Sequence, residues 1–262
     1  MEYRYDEDLE FLRDVPSEEL DDLVECLVRD RDGDARFTEE LTAAERYRRH
    51  YPDHHQYWDL IAGEIQCFGA NTFMTLIRGG KGVPYREVLA DVCDRLKVNY
   101  NSNSSTARIE DCLLMKVCED ALDRMTPEEI EDLCLECGMK TVNYTPEVAL
   151  GVFQAVFKMG GVRSYQLTLA IANAVMKLLF GRGLTIAGNI TLTRAMSVLA
   201  GPVGWVITGV WTALDIAGAA YRVTVPAVFM IAMLRKKQLC RAGGDGALPD
   251  RDSGKPCEDG NG

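Results

Sequence analysis

Between Arg194 and Asp215 the chain runs for twenty residues, Ala195 to Leu214, without a charge. That length matches the hydrocarbon core of a bilayer, about 30 Å at 1.5 Å rise per helical residue. The run lies inside a longer apolar region, Gly183 to Leu234, whose only charged side chains are Arg194, Asp215 and Arg222. Gly201, Gly204, Gly209 and Gly218 punctuate it with small residues, which let helices approach backbone to backbone. Any fold this chain adopts must either enclose the region or offer it to lipid.

Proline placement divides the region. Pro202 suits the start of one helix and Pro226 the first turn of the next. The pattern therefore reads as a Gly-rich helical hairpin, 195–220 and 223–239, joined at a Tyr221–Arg222 corner. Asp215 and Arg222 are seven residues apart, so each needs a partner on another element or across a turn near Gly218. Three readings stand: a core hairpin of a soluble bundle, a membrane-inserted hairpin, or a peripheral membrane contact. Arg235, Lys236 and Lys237 directly follow Leu234 and would suit a cytoplasmic-side anchor near anionic lipid.

The rest of the chain carries the 3.6-residue period of helices. In residues 3–37, Leu20, Leu23, Val24, Leu27 and Val28 form one stripe, with Asp14 or Ser17 as cap and the run Asp30–Asp34 as terminator. A further helix over 38–51 ends in Arg46, Arg48 and Arg49 before Pro52. Tyr57, Leu60, Ile61, Ile65 and Phe68 share the next face, with Gly69 as its terminator and Asn71 as cap of the following segment. Residues 85–96, 106–125, 127–138 and 146–160 continue the series, with a Thr126–Glu129 capping box. No sustained period-2 alternation occurs. The expectation is an all-α multi-helix bundle: an acidic N-terminal module (1–37), a central helical domain (38–180), the apolar hairpin (181–240) and a Gly- and Asp-rich tail (241–262).

Charge is unevenly placed. Residues 1–40 hold sixteen acids and five bases, while the remainder is balanced, so the overall charge of −11 belongs to the N-terminal module. Such a module does not neutralise phosphates, which argues against nucleic acid as its partner. It reads either as a solvated acidic helix pair or as a docking surface for a basic partner. The nine cysteines are odd in number and fall mostly on apolar helix positions, and the N-terminus is charged from Glu2 onward. The expectation is an intracellular protein, cytoplasmic or membrane-peripheral and not secreted, with reduced thiols. The sequons at Asn103, Asn143 and Asn189 are then incidental.

Candidate chemistry is sparse. Glu64 lies between Ile61 and Phe68, on or beside the buried stripe. A buried carboxylate needs a base such as Arg78, Arg86 or Arg95, or it serves as an acid or base in catalysis. Gly80 and Lys81, in the loop GGKGVP at 79–84, could cradle a phosphate at a helix N-terminus, but the loop lacks full P-loop spacing and reads first as an interhelical turn. His50, His54 and His55 lack an H-E-x-x-H pattern, and Cys134-x-x-Cys137 continues an apolar face begun by Ile130 and Leu133. Neither group calls for a metal, and no cofactor fingerprint is present.

Three stretches carry a family resemblance. YRYDEDLEFL with EELDDLV (3–24), YWDLIAGEIQCFGANT with IRGGKGVPYREVLADVCDRLKV (57–98), and GPVGWVITG with AGAAYRVTVPAVFMIAMLRK (201–236) resemble the YaaW-like bacterial family, while 100–180 matches it poorly. The resemblance implies an all-helical protein and a remote grouping with ubiquinol–cytochrome c chaperones, with no established activity. It marks Glu64, Gln66, Gly69 and Asn71, and Tyr221, Arg222 and Pro226, as candidate functional or structural positions. The function expected is non-enzymatic binding of a protein partner or membrane surface through the C-terminal hairpin, of assembly-factor or chaperone type. The alternatives are a membrane-permeabilising or stress effector restrained by the acidic module, and an enzyme using Glu64 near the GGKG loop.

Overall fold

Helix α9 (Tyr221–Gly243) organises the fold. From Val223 to Leu234 it is apolar on nearly every face, and all the side chains of that run are buried. A helix apolar all round belongs in an interior. The computed structural model describes residues 3–36, 41–69, 82–136, 143–185 and 220–243. Among them are also α1 (Ser17–Val28), α2 (Glu45–His50), α3 (Trp58–Gly69), α4 (Tyr85–Arg95), α5 (Thr106–Leu122), α6 (Pro127–Glu136), α7 (Pro146–Met159) and α8 (Gly161–Phe180). Among the described residues there is no strand; Arg29 and Ala35 form an isolated bridge. The all-α expectation holds.

α9 packs chiefly along α8 and also touches α1, α3 and α4. Lys237, late in α9, lies over the ring of Tyr165, early in α8, so the two long helices run antiparallel. α5, α6 and α7 extend the bundle beside α8, while the turn Glu10–Asp14 and α1 close the other flank. Leu9, Leu12, Leu20, Leu23 and Leu27 of the N-terminal segment share one continuous core with α8 and α9.

Local chemistry explains most boundaries. Ser105 caps α5 by accepting from the Arg108 N–H, and Thr145 caps α7 through Val148. The capping box forms: Thr126 N–H donates to Glu129 at 2.9 Å and Glu129 N–H to Thr126 Oγ1 at 3.3 Å. The expected cap of α1 does not form. Pro16 occupies that position, and the Ser17 hydroxyl binds Asp53 Oδ1 instead. The helix expected over 38–51 is shorter, a 3₁₀ turn at Leu41–Ala43 followed by α2.

The Tyr221–Arg222 corner also differs from expectation. Both residues lie in the first turn of α9, which runs 221–243 and not 223–239. Pro226 sits one turn further in, where its missing N–H deprives the Arg222 carbonyl of its helical donor. Arg222 itself is exposed. The uncharged run 195–214 lies outside the described residues, as do the first arm of the hairpin up to 219 and the tail beyond Gly243, while 241–243 belong to α9. Among the described residues no helix is long and apolar enough to cross a membrane.

Candidate functional site

The charged residues of the interior converge where the basic end of α9 meets α5 and the N-terminal segment. Arg235 Nε lies 3.0 Å from Glu110 Oε2, and its Nη2 donates to the Asp8 carbonyl at 2.7 Å. The Glu110 carboxylate also accepts the Tyr85 hydroxyl at 2.8 Å. The Arg235 guanidinium stacks 4.5 Å from the Phe11 ring centroid. Lys236 Nζ sits 2.6 Å from Asp111 Oδ1 and over the Phe157 ring. Lys237 pairs with Glu19 at 3.1 Å, and Arg241 donates to both oxygens of the same carboxylate. Gln238 donates to the Asp14 carbonyl.

This arrangement corrects two expectations. Arg235, Lys236 and Lys237 do not form a free cationic patch for lipid headgroups, because each faces a carboxylate within the fold. Nor is the N-terminal module a solvated acidic pair. Asp6, Asp8, Glu19, Asp21, Asp22 and Glu25 all bind groups elsewhere in the chain. Of these acids Glu19 is the one that meets the basic end of α9, through Lys237 and Arg241.

Burial dominates the electrostatics. It pushes the Glu110 carboxyl above the usual carboxylate range, with Arg235 and Tyr85 pulling back. Asp111 is raised for the same reason, opposed chiefly by Lys236. The Tyr85 hydroxyl is driven well up by burial and by Glu110 beside it, which suits a group that only donates. A buried ion pair without hydrogen bonds to its remaining lone pairs is unfavourable. Here Tyr85 supplies one for Glu110 and the Asp8 carbonyl accepts one from Arg235.

Gln66 is a second knot. Its Oε1 accepts the Arg4 N–H at 3.2 Å and its Nε2 donates to the Arg4 carbonyl at 2.8 Å, so the amide pairs with one residue of the N-terminal segment as a β partner would. Nε2 also reaches Asp6 Oδ2, the oxygen that accepts the Tyr85 N–H at 2.6 Å. Asp6 thereby caps α4 from a distant part of the chain. The Val83 N–H donates to the Gln66 carbonyl, and a Cβ built on Gly82 would fall 2.6 Å from Gln66 Cβ. Gly82 thus permits a close backbone approach.

The other candidate residues disperse. Glu64 is buried and accepts the Leu41 N–H at 3.1 Å. Arg86 and Arg95 are not its partners: Arg86 donates to the Ser102 and Ser104 carbonyls, and Arg95 lies over the Tyr221 ring at 4.7 Å. Tyr221 donates to Asp91 at 3.0 Å. Gly69 is within α3, while Asn71, Arg78, Gly80, Lys81 and Cys137 lie outside the described residues. The described candidates therefore do not converge on one centre. Among the described residues no cluster of His, Cys, Asp and Glu could hold a metal ion.

Comparison with known proteins follows the same outline. A family model described as ubiquinol-cytochrome C chaperone matches residues 53–229, and a domain of unknown function, DUF3944, matches residues 3–37. A UPF0174 protein of Helicobacter pylori is 50% identical over 238 residues, covering 90% of this chain and 94% of that protein. The UPF0174 protein YaaW of Escherichia coli K12 is 32% identical over 240 residues, covering 89% and 95%. No solved structure matches. An all-helical chain that pairs with these proteins over nearly its whole length, and whose central region falls within the chaperone model, is a member of the UPF0174 family.

Proposed function

We propose that this chain acts by binding a protein partner, as an assembly factor of chaperone type without chemistry of its own. The observation that carries this reading is the match of the ubiquinol-cytochrome C chaperone model across 53–229, from the turn before α3 into α9. The internal ion pairs support it, since Glu110, Asp111, Glu19 and the α9 bases are engaged in holding helices together. The test is genetic and biochemical. Deleting the coding sequence should lower the amount of assembled ubiquinol–cytochrome c complex on native gels, and restoring it should recover the complex. An unchanged amount of complex would sink the reading.

A second reading concerns the uncharged run, and the described flanks favour one form of it. Thr185 donates from its N–H and hydroxyl to Asp22 on α1, at 2.8 and 3.0 Å. The Val223 carbonyl faces Cys26 Sγ, one turn further along α1. Entry to and exit from the intervening segment are thus held at neighbouring points. Any lipid contact made between these two points would then start and finish on the same side of a bilayer. Vesicle flotation combined with labelling of a cysteine placed at position 205 tests this. Reaction only from the far side would rule out a contact confined to one side.

A further inference from the structure

The His54 ring is buried in the turn that precedes α3, between α1 and the Tyr57 hydroxyl. Nε2 lies 2.8 Å from Asp21 Oδ1, and Nδ1 faces Tyr57 Oη. A carboxylate can only accept, so Nε2 carries the hydrogen. Nδ1 is then the bare nitrogen and accepts the Tyr57 O–H. Tyr57 is fully buried, and His54 is the only hydrogen-bond partner of its hydroxyl among the described residues.

The proton count makes this cluster one-way. With neutral His54 every polar atom in the chain Asp21–His54–Tyr57 is satisfied. A proton on Nδ1 turns the Tyr57 oxygen from donor to acceptor and leaves its hydrogen without a partner, on a ring that packs against Tyr47 at 5.3 Å between centroids. Stranding a buried hydroxyl is unfavourable, and so is shutting an imidazolium away from water. Asp21 and Glu25 from α1 and Asp53 from the turn favour the charged ring, while the rings of Tyr51 and Tyr57 pack edge-on against it. Burial is the larger effect and holds His54 below the ordinary histidine value. The neighbouring contacts along this seam are also polar: Ser17 Oγ donates to Asp53 and accepts the His55 N–H at 3.0 Å.

We propose that Asp21, His54 and Tyr57 form a proton-operated latch between α1 and the turn that opens α3, closed while His54 is neutral and opened when it takes a second proton. The sign follows from linkage. The open form binds the proton first, so the latch contributes fully above the ordinary histidine pKa of about 6.5 and is lost as pH falls from there through the depressed folded value.

The test uses the full-length protein. Histidine ring resonances are followed by NMR from neutral to acid pH, together with amide exchange along α1. His54 is assigned by its contact with the Tyr57 ring, and independently by His54→Gln, so assignment survives if that variant does not fold. The latch requires His54 to titrate below the ordinary range, and protection at residues 17–24 to fall about tenfold per pH unit across the same interval. Protection along α9 should hold steady. Asp21→Asn keeps an acceptor but removes the charge, and should move the His54 midpoint to lower pH. A His54 ring that titrates at the ordinary value, an α1 protection that ignores pH, or an unmoved midpoint in Asp21→Asn would each overturn the proposal.

Discussion

Arg235 and Glu110 meet at 3.0 Å between α9 and α5, with Glu110 buried and Arg235 mostly so. The pair joins the last quarter of the chain to its middle, and the Asp8 carbonyl joins both to the N-terminal segment. Breaking one partner leaves the other charged and buried. Arg235→Met alone should therefore cost about 3–5 kcal/mol in denaturant unfolding, as should Glu110→Gln to a smaller degree. The double change Arg235→Met with Glu110→Leu should recover most of that loss. If the double variant is as unstable as the sum of the two, the pair is not an isolated buried couple.

Asp6 acts on α4 from seventy-nine residues away, capping the Tyr85 N–H and meeting Gln66 at one oxygen. Asp6→Ala removes a cap worth about 0.5–2 kcal/mol and leaves a buried donor unmade. Asp6→Asn retains an acceptor and should lose less. Equal losses in thermal unfolding would mean that the negative charge, and not the hydrogen bond, is what α4 requires.

Gly82 and Gly183 are fixed by what stands against them. A Cβ on Gly82 would meet Gln66 Cβ at 2.6 Å and its backbone carbon at 2.8 Å; one on Gly183 would meet Asn173 Oδ1 at 2.5 Å. Asn173 Oδ1 accepts the Leu184 N–H, so Gly183→Ala also disturbs that bond. Each alanine should destabilise by about 1–3 kcal/mol. Gly82→Ala should cost more, because backbone cannot swing aside as a side-chain amide can. Equal or negligible effects would show that the α3–α4 approach is loose.

These positions show which parts of the fold the sequence carried and which it hid. The α1 stripe from Leu20 to Val28 and the Thr126 capping box follow from spacing alone, because each is a relation within one helix. Pairings such as Glu19 with Lys237 and Asp6 with Tyr85 join residues far apart in sequence, and no local period encodes them. A signal did exist. Glu110 and Asp111 interrupt an apolar run between Ile109 and Cys112, and Arg235 to Lys237 follow a buried one. Acids and bases set into separate apolar helices need one another, and that need outweighs the lipid-anchor reading of the bases. The Tyr221–Arg222 corner was misplaced because a helix can begin before its first proline, so the two residues open α9.

Thiol reactivity gives an independent check of burial. The Cys26 and Cys93 thiols are pushed up to about 12 by burial. At pH 8 only about one molecule in ten thousand would carry either as thiolate. Cys240 is partly exposed near the end of α9. Brief alkylation of the native protein at pH 8 should label Cys240 and spare Cys26 and Cys93, as read by peptide mass spectrometry. Labelling of Cys26 at a comparable rate would mean that α1 opens readily from α9.

The sharpest distinction between enclosure and lipid contact for the described part of the apolar region lies at Phe229. Its side chain is fully buried in the middle of the Val223–Leu234 run. If α9 is a core helix, Phe229→Ala opens a cavity and costs about 3–5 kcal/mol in water, with no lipid present. If instead α9 rested against lipid in its working state, the same change would weaken vesicle binding and leave the stability of the free protein nearly unchanged. Denaturant unfolding and vesicle flotation of the one variant separate the two. The enclosed geometry requires a large loss in the first and none in the second, because a fully buried ring, on a helix packed against α8, α1, α3 and α4, has no face left to give to a membrane.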